Sequence, residues 1–357
     1  MKKICIFNHK GGVSKTTTAF HIGWMLASKG EKVLLVDADS QCNLSLYFLG
    51  YRDFEKYYET DNKNLKNALE PAFKALPKLI EAADALPNSR NKNLFLLPGN
   101  IDFSENEVQM GVSFQLSNAL GTMKNLPGAF PYLVSKTGEK IGATIAIIDM
   151  NPSLSAINQD IFISSDYFII PASPDVFSNM AVKSLARILP QWANWAKKAH
   201  PIYADASYPL PAIIPKFLGF TINDFNLSHR QPQRNYRILI DTISKSIEDD
   251  LIPKLSDVGM LLADEQYKNV YDGVIEKTYK KNFEYSSKYC LGQISNFNKL
   301  IAISNNASVP VFELGPEELS YSTESQEGTL RWFNVLYSVI SWRILRLIRN
   351  DSCKIPI

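Results

Sequence analysis

The stretch Lys10-Gly11-Gly12-Val13-Ser14-Lys15-Thr16-Thr17 decides the fold of this chain. It follows an apolar run at residues 4–7 and precedes a helix-like stretch at residues 18–28. A strand, a glycine-rich turn and a helix start together form a phosphate cradle, because backbone N–H groups converge on the anion and the helix N-terminus adds partial positive charge. In such a cradle Lys15 can reach terminal phosphates, and the Thr16 hydroxyl can bind Mg²⁺. The stretch therefore predicts a nucleotide site.

The usual phosphate-loop pattern, G-x-x-x-x-G-K-S/T, is not strictly met, because His9 and Ser14 occupy its two glycine positions. An additional lysine, Lys10, precedes the paired glycines instead. This arrangement resembles the deviant Walker A motif of the ParA/MinD family of P-loop ATPases, K-G-G-x-G/S/A-K-S/T-S/T. In that family the additional lysine crosses a dimer interface to the partner's nucleotide, and the resemblance implies this role for Lys10. A glycine-rich turn that binds nothing does not need the Lys-Thr-Thr sequence at the helix start.

A second motif places two carboxylates at the end of a predicted strand. Asp37 and Asp39 follow the apolar residues 33–36, and alternation along an extended strand points both carboxylates to the same side. Near a triphosphate and Mg²⁺, one carboxylate can orient the attacking water, and the other can support the metal shell or Lys15. Alternatively, the two residues are solvent-exposed acids at a strand end. That interpretation is common for a single Asp but fits this pair less well.

A third motif is the apolar run at residues 145–148 followed by Asp149, a Walker B pattern in which a buried strand ends in a carboxylate that holds Mg²⁺. Residues 149–154 resemble the family's switch II, with Asn151 in place of its first proline. Residues 37–45 resemble the family's switch I, D-x-D-P-Q-x-N-x-S/T, with Ser40 and Cys42 in place of the common proline and glycine. The second Asp of that motif is required for hydrolysis, and the resemblance assigns this role to Asp39.

Short apolar runs alternate with helical stretches along the whole chain. The predicted strands lie at residues 4–7, 33–36, 94–97, 144–148, 167–170 and 217–222. This alternation predicts an α/β fold with a mostly parallel, twisted sheet and helices on both faces, which the resemblance makes a P-loop NTPase of the deviant Walker A type. Ligands bind beyond the carboxyl ends of such strands, where all three motifs lie.

The chain shows no internal repeat and no low-complexity linker, so we expect one elaborated P-loop ATPase domain over residues 1–357. Three stretches are predicted to be insertions: residues 51–92, helical around 65–86, residues 189–215 and residues 254–289. Residues 218–223 resemble a further strand of the family. Residues 300–314 resemble its final loop and strand.

The resemblance implies ATP or ADP and Mg²⁺ as cofactors. Thr16, Asp39 and Asp149 are the predicted metal-site residues, and Lys10, Lys15 and Asp39 the predicted catalytic residues. The family residue at the position of Asn223 often contacts adenine, and an amide can both donate to and accept from a base edge; an Asn that caps a strand end is the alternative. The predicted nucleotide-binding residues are Lys10, Gly11, Gly12, Val13, Ser14, Lys15, Thr16, Thr17 and Asn223, with Thr17 at the α-phosphate.

Composition narrows the class of protein. A net charge of +2 means that any nucleic-acid contact has to come from a local patch. Cys5, Cys42, Cys290 and Cys353 are far apart and form no C-x-x-C pair, which argues against a disulfide framework, an iron–sulfur cluster or a zinc site. No stretch resembles a signal peptide, and none reaches the ~18 apolar residues that span a bilayer. We expect a cytoplasmic protein.

Two functions fit this sequence. ParA-type proteins bind DNA non-specifically as ATP-dependent homodimers, and a ParB-like adaptor stimulates hydrolysis to release them, so the resemblance implies plasmid or chromosome partition and a nucleoid-associated protein. Arg230, Arg234 and Arg237 are the candidate DNA contacts, since arginine clusters bind phosphates; a solvated loop and helix start is an equal alternative. The second function is a nucleotide-gated scaffold that positions a membrane, secretion or defence complex.

The predicted C-terminal helix at residues 330–349 is basic and amphipathic, with aromatic residues. Such a helix can lie in a membrane interface, as a shorter one does in MinD-type relatives. Its apolar positions cover most of the circumference, which favours packing against the protein core over membrane contact.

Overall fold

A computed structural model describes residues 1–60, 63–116, 121–228, 231–268, 283–319 and 324–349. An eight-stranded sheet forms its centre, in the order β10-β7-β6-β1-β5-β2-β4-β3. All neighbouring strands are parallel except the antiparallel pair of β3 and β4. The strands are β1 Lys2–Ile6, β2 Val33–Ala38, β3 Leu86–Pro87, β4 Leu94–Leu97, β5 Ile145–Met150, β6 Tyr167–Ala172, β7 Lys216–Phe225, a separate hairpin of β8 Leu227–Ser228 and β9 Gln231–Pro232, and β10 Cys290–Ser295.

Helices connect these strands. They are α1 Lys15–Ser28, α2 Asn43–Leu49, α3 Tyr51–Thr60, α4 Leu65–Phe73, α5 Glu107–Leu116, α6 Ala129–Ile141, α7 Ala156–Ile163, α8 Val176–Ala199, α9 Arg234–Ser246, α10 Ile252–Asp257, α11 Lys299–Ala307 and α12 Glu324–Arg349. A π-helical turn, Ile247–Leu251, joins α9 to α10. Short 3-10 turns lie at Ile101–Asn106, Gly121–Asn125, Asp264–Tyr267 and Val311–Glu313.

The central strands are apolar on both faces because helices cover both faces of the sheet. All six residues of β2 and all six of β5 are buried. One hydrophobic core contains residues from Ile4 to Leu347. Parallel register aligns Asp149 with Ile6 on one side and with Asp37 on the other. The three sequence motifs therefore meet at the carboxyl edge of the sheet, as predicted.

The six predicted strands are confirmed. Residues 94–97 match β4 at both ends, and the other five strands differ from the prediction by one to three residues at one or both ends. The prediction of a final strand within residues 300–314 is wrong. Ser308 adopts a left-handed conformation (φ 55°) at the end of α11, and the backbone N–H of Val311 donates to the ring of His21 instead of to a sheet. The last strand is β10, which the sequence analysis missed. The helix predicted around residues 65–86 is shorter in the structure, where α4 ends at Phe73.

The last helix packs into the core, which confirms that part of the prediction. Phe333, Leu336, Tyr337, Ile340 and Ile344 are all buried. In β10, Gly292 makes room for this helix, because a Cβ there would lie 2.5 Å from Ile340 Cδ1. The helix α12 is therefore fixed against α1 and the edge of the sheet. Among the described helices, none combines the length and the apolar character needed to cross a bilayer.

Candidate nucleotide-binding site

The phosphate loop runs from the end of β1 to the start of α1 in an unusual backbone conformation. Gly12 (φ 70°) and Ser14 (φ 60°) both have positive φ. Glycine adopts this conformation without strain, whereas a serine side chain makes it costly. Ser14 occupies the position where the usual pattern has its second glycine. The loop therefore keeps the positive φ that glycine favours, although serine adopts this conformation only at a cost.

Two buried asparagines hold the loop in place. The Asn8 amide donates to Pro171 O (2.8 Å), and its side-chain oxygen accepts the backbone N–H of Lys10 (3.0 Å). The Asn223 amide donates to Val13 O (3.0 Å) and to Thr18 Oγ1 (3.1 Å), while its own oxygen is buried and accepts no hydrogen bond from the described residues. Asn223 therefore lies at the base of the loop, and its contact with adenine stays a prediction.

Lys15 is buried at the centre of this turn. Its ammonium donates to Lys10 O at 3.2 Å, and it forms no ion pair with any carboxylate of the described part of the chain. Burial lowers the pKa of Lys15, while the nearby Asp149 and Asp39 act to raise it. A buried cation in a glycine-rich loop at the start of a helix is suited to bind an anion such as a phosphate.

Three carboxylates lie at the ends of the neighbouring strands β2 and β5, and two of them, Asp39 and Asp149, interact with this cation. Burial raises the pKa of Asp37 to about 7, although Ser45 donates to Asp37 Oδ2 through both its hydroxyl (2.6 Å) and its N–H (2.8 Å). The Asp39 carboxylate accepts the N–H of Gln41 at 3.0 Å. Burial also raises the pKa of Asp149 well above its usual range, and Asp37 raises it further, while Thr16 and Lys15 oppose this.

The surroundings of Asp149 show whether the residues of this site can bind a metal ion. Both of its carboxylate oxygens are fully buried, and neither accepts a hydrogen bond from the residues described. Buried polar atoms are normally satisfied, so such a pair of oxygens suits a site that a cation and its water complete. Thr16 lies beside Asp149, as its effect on the pKa of Asp149 shows. Asp149 and Thr16 thus have the chemistry of a Mg²⁺ site, with phosphate oxygens as further ligands.

The two switch segments are held by different contacts. In switch I, Cys42 has φ 54°, which explains why the family commonly has glycine at this position. In switch II, the Asn158 amide donates to Asn151 O (2.9 Å) and to Ser153 O (2.7 Å), and the Ser153 hydroxyl donates to Asn151 Oδ1 (2.5 Å). Side-chain hydrogen bonds thus hold the segment where Asn151 replaces a proline.

Lys10 lies at the outer side of the loop and forms an ion pair with Asp175 at 2.8 Å. Asp175 also caps α8, since its other oxygen accepts the N–H of Ser178 (2.8 Å). Beside it, Val176, Phe177 and Met180 are exposed to 62%, 70% and 60%. Lys10 therefore borders an exposed apolar surface, which is a common feature of protein–protein contacts.

Two of the three candidate DNA residues lie on α9. Arg234 and Arg237 are exposed in the first turn of α9, three residues apart and so on one side of the helix. Neither arginine pairs with a carboxylate within the described ranges. Arg230 lies outside the described residues.

Sequence reasoning identified the phosphate loop and all three carboxylates but missed residues that orient them. Ser45 is the last residue of the segment that resembles switch I, and Asp175 lies at residues 172–178, which also resemble a loop of the family. Neither resemblance assigned a contact to these residues, and Asn158 lies in no motif. Asn8 lies just before the predicted loop, where its position alone could have suggested a loop contact. Their roles follow from distances across the sheet, which the order of residues does not show.

Comparison with known proteins decides the family. Residues 1–199 match the model of a family described as AAA domain. The chain belongs to this family, in its ParA/MinD type. Among ParA/MinD relatives, the chromosome partitioning protein ParA of Caulobacter vibrioides is 28% identical over 193 residues, and the maintenance of carboxysome distribution protein A of Gloeothece citriformis is 32% identical over 194 residues; each match covers 53% of this chain.

The matches cover only part of these ParA/MinD relatives. The chain spans 62% of the length of the Caulobacter vibrioides and Gloeothece citriformis proteins. An uncharacterised Mycobacterium tuberculosis protein is 35% identical over 178 residues, and this match covers 50% of this chain and about half (48%) of that protein. Two solved structures share the fold at 17% identity. The structure of pNOB8 ParA bound to nonspecific DNA has a TM-score of 0.55 and covers 98% of this chain and 99% of its own. Pyrococcus horikoshii MinD complexed with Mg-ADP has a TM-score of 0.53 and covers 99% of each.

Proposed function

We propose that this chain is a ParA-type switch ATPase that dimerises when it binds ATP and hydrolyses it to ADP and phosphate with Mg²⁺. One observation carries the proposal: the buried Lys15, in a loop of glycine geometry, lies near enough to Asp149 for their charges to interact, and the Asp149 carboxylate accepts no hydrogen bond from the described residues. A buried cation and a buried carboxylate near each other match the two charges of a metal–triphosphate complex. The pair of residues is also where the family motifs place it.

The remaining residues take their roles from this arrangement. The backbone of Gly11, Gly12, Val13 and Ser14 would surround the phosphates, and Thr17 would contact the α-phosphate. Thr16 and Asp149 would hold the Mg²⁺ shell, and Mg²⁺ supplies charge neutralisation at the β- and γ-phosphates. Asp39, at the end of β2, would orient the attacking water.

Dimerisation is supported by the position of Lys10. Its ammonium lies at the edge of the site and beside the exposed side chains of Val176, Phe177 and Met180. An ATP-dependent dimer that buries this apolar surface would place Lys10 next to the partner's nucleotide. The γ-phosphate would then favour the dimer over the monomer, and hydrolysis would remove that preference.

We further propose that the dimer binds DNA without sequence preference and that a ParB-like adaptor accelerates its hydrolysis. Arg234 and Arg237, which are exposed and form no ion pair with a described carboxylate, support the DNA contact, and a ParA structure of the same fold is one bound to nonspecific DNA. Buried apolar residues of α12 argue against the alternative scaffold that docks on membranes through this helix. Nucleoid association would follow from DNA binding.

The test measures ATP hydrolysis together with binding to DNA and to lipid vesicles. The full chain is incubated with ATP and Mg²⁺, and phosphate release, retention on random-sequence duplex DNA and retention on anionic lipid vesicles are measured at rising salt. We expect Mg²⁺-dependent phosphate release and ATP-dependent DNA retention that decreases with salt. Absence of phosphate release would refute the ATPase, and ATP-dependent vesicle binding without DNA binding would favour the membrane scaffold.

A further inference from the structure

A tyrosine of the helix α3 contacts the edge of the candidate site from outside the family motifs. The helix buries none of its residues fully. The hydroxyl of Tyr58 nevertheless donates a hydrogen bond to the backbone oxygen of Gly99 at 2.6 Å. Gly99 is buried in the turn that follows β4, next to the end of β2.

From Gly99 a chain of hydrogen bonds leads to switch I. The N–H of Gly99 donates to Ser45 Oγ at 3.0 Å, and the Ser45 hydroxyl donates to Asp37 Oδ2 at 2.6 Å. The other oxygen of Asp37 accepts the N–H of Asp39 at 3.3 Å. Tyr58 is thus connected to Asp39 through three intervening residues.

Close packing makes this connection stiff. A Cβ on Gly99 would lie 3.0 Å from both Asp37 Cγ and Asp37 O, so the two residues are already in contact. Asp37 and Ser45 are completely buried. Interiors packed at this density transmit displacement, and a carbonyl that loses its donor there gains no water in exchange. Movement of Gly99 therefore moves Asp37 and the Asp39 segment with it.

We infer that Tyr58 is a positioning residue for ATP hydrolysis, an inference that rests on the proposed ATPase function. Tyr58 holds Gly99 against Asp37 and thereby fixes the segment that carries Asp39. The phosphate loop is held separately, by Asn8 and Asn223. Loss of the Tyr58 hydroxyl therefore lowers the rate of hydrolysis and leaves nucleotide binding intact. The insertion that contains α3 acts in this way as a support for the catalytic loop.

The test is the substitution Tyr58→Phe, which removes one hydroxyl and keeps the ring. We expect kcat to decrease by about tenfold while KM for ATP changes by less than about twofold, because the interaction serves the transition state and not the bound substrate. The matched control is Tyr51→Phe, since Tyr51 lies on the same helix and is 55% exposed. It should leave both constants unchanged.

A second pair of measurements separates positioning from general destabilisation. Ser45→Ala breaks the same chain nearer to Asp37, and the double variant Tyr58→Phe/Ser45→Ala should be no slower than Ser45→Ala alone, since one connection cannot be broken twice. In the nucleotide-free protein, Tyr58→Phe should accelerate amide hydrogen exchange at Ser45 and Gly99 but not at Val311, whose N–H is held elsewhere by His21.

The outcomes distinguish the inference from the function on which it rests. A wild-type chain that hydrolyses ATP together with a Tyr58→Phe variant of parental kcat would overturn the inference and leave the ATPase standing. A wild-type chain without hydrolysis would refute the ATPase, and unchanged exchange at Ser45 and Gly99 in Tyr58→Phe would then overturn the connection as well. Additive losses in the double variant would also contradict it.

Discussion

Lys10 and Asp175 form an ion pair across the edge of the sheet, with Lys10 Nζ 2.8 Å from Asp175 Oδ2. The two side chains are 20% and 39% exposed, so the pair is only partly shielded from water. In a single copy of the chain, the lysine proposed to reach a partner's nucleotide is therefore already engaged. Dimerisation has to replace this contact by one with phosphate.

Asp175→Asn should lower the ATP concentration at which the chain dimerises. An asparagine caps a helix as well as an aspartate does, so α8 keeps its cap while the ion pair is lost. A partly exposed ion pair contributes about 0.2–1 kcal/mol, so the midpoint should decrease by up to about fivefold. The measurement is light scattering of an ATP titration.

The control for this variant is Asp205→Asn, which breaks the exposed pair with Lys124 (3.3 Å) and should leave the midpoint unchanged. A higher midpoint in Asp175→Asn would mean that the carboxylate assists the dimer and does not compete with it.

Lys15→Ala should abolish nucleotide binding. Within one copy of the chain, the buried ammonium is the only side-chain cation that the proposal places on the terminal phosphates, and charge-assisted hydrogen bonds contribute about 3 kcal/mol, or about 100-fold in affinity. Titration with a fluorescent ATP analogue measures the loss. Lys29→Ala, at the other end of α1 where the side chain donates to Ser338 Oγ (2.7 Å), should bind normally. Equal affinities in the two variants would remove Lys15 from the site.

Asp39→Ala should bind ATP and dimerise but hydrolyse it slowly. Removal of a group that orients the attacking water reduces the rate by about 100-fold or more, whereas the phosphate loop is untouched. Single-turnover phosphate release measures the chemical step. If this variant hydrolysed ATP at the parental rate, the role assigned to Asp39 would be wrong.

Arg234→Ala and Arg237→Ala should each weaken ATP-dependent binding to random-sequence DNA. Each lost phosphate contact should reduce the slope of log affinity against log salt by about one. Fluorescence anisotropy of a labelled duplex at several salt concentrations gives both quantities. Lys136→Ala removes an exposed cation from α6 and serves as the control. An unchanged slope in both arginine variants would place the DNA contact elsewhere.

The contribution of His21 to the stability of the fold should decrease in acid. Its Nδ1–H donates to Thr17 O (2.8 Å) and its Nε2 accepts the N–H of Val311 (3.1 Å), which requires a neutral ring. Burial lowers the pKa of His21 to about 3. The unfolded ring titrates near ~6.5, so the contribution of His21 is complete above that pH and is lost towards pH 3, by about 1.4 kcal/mol per unit.

Urea unfolding between pH 7.5 and 5 gives the free energy of unfolding of the wild type and of His21→Gln. Their difference isolates the contribution of His21, because Asp37 and Asp149, with raised pKa values, act in the opposite direction in both proteins. Nitrogen NMR of the histidine rings provides a direct check: the His21 ring should remain in its Nδ1–H neutral form throughout. A ring that takes up a proton near pH 6 would contradict the buried geometry.

The sequence predicted the parts of the fold that depend on local pattern. Continuous apolar runs identified six strands, because a strand buried on both faces needs no polar residue. The strand β10 was not predicted, because Gly292 and Gln293 interrupt its run of apolar residues. Its position depends on β7 and α12, which cover it from distant parts of the chain.

In the candidate site, the sequence identifies the residues proposed to contact the nucleotide better than the residues that hold them in place. Lys15, Asp39 and Asp149 follow strands in recognisable motifs. Tyr58 and Asp175, in contrast, act through hydrogen bonds to residues 41 and 165 positions away. No pattern of spacing encodes such contacts, since only the folded sheet brings the partners together.

The mass of the Asp39→Ala variant in solution, with and without saturating ATP and Mg²⁺, tests the central claim most directly. We predict a monomer without nucleotide and a dimer with ATP, and a monomer in both conditions when Lys10→Ala is added. A mass that stays unchanged while ATP is fully bound would contradict the account, because the triphosphate would then not join two copies of the chain.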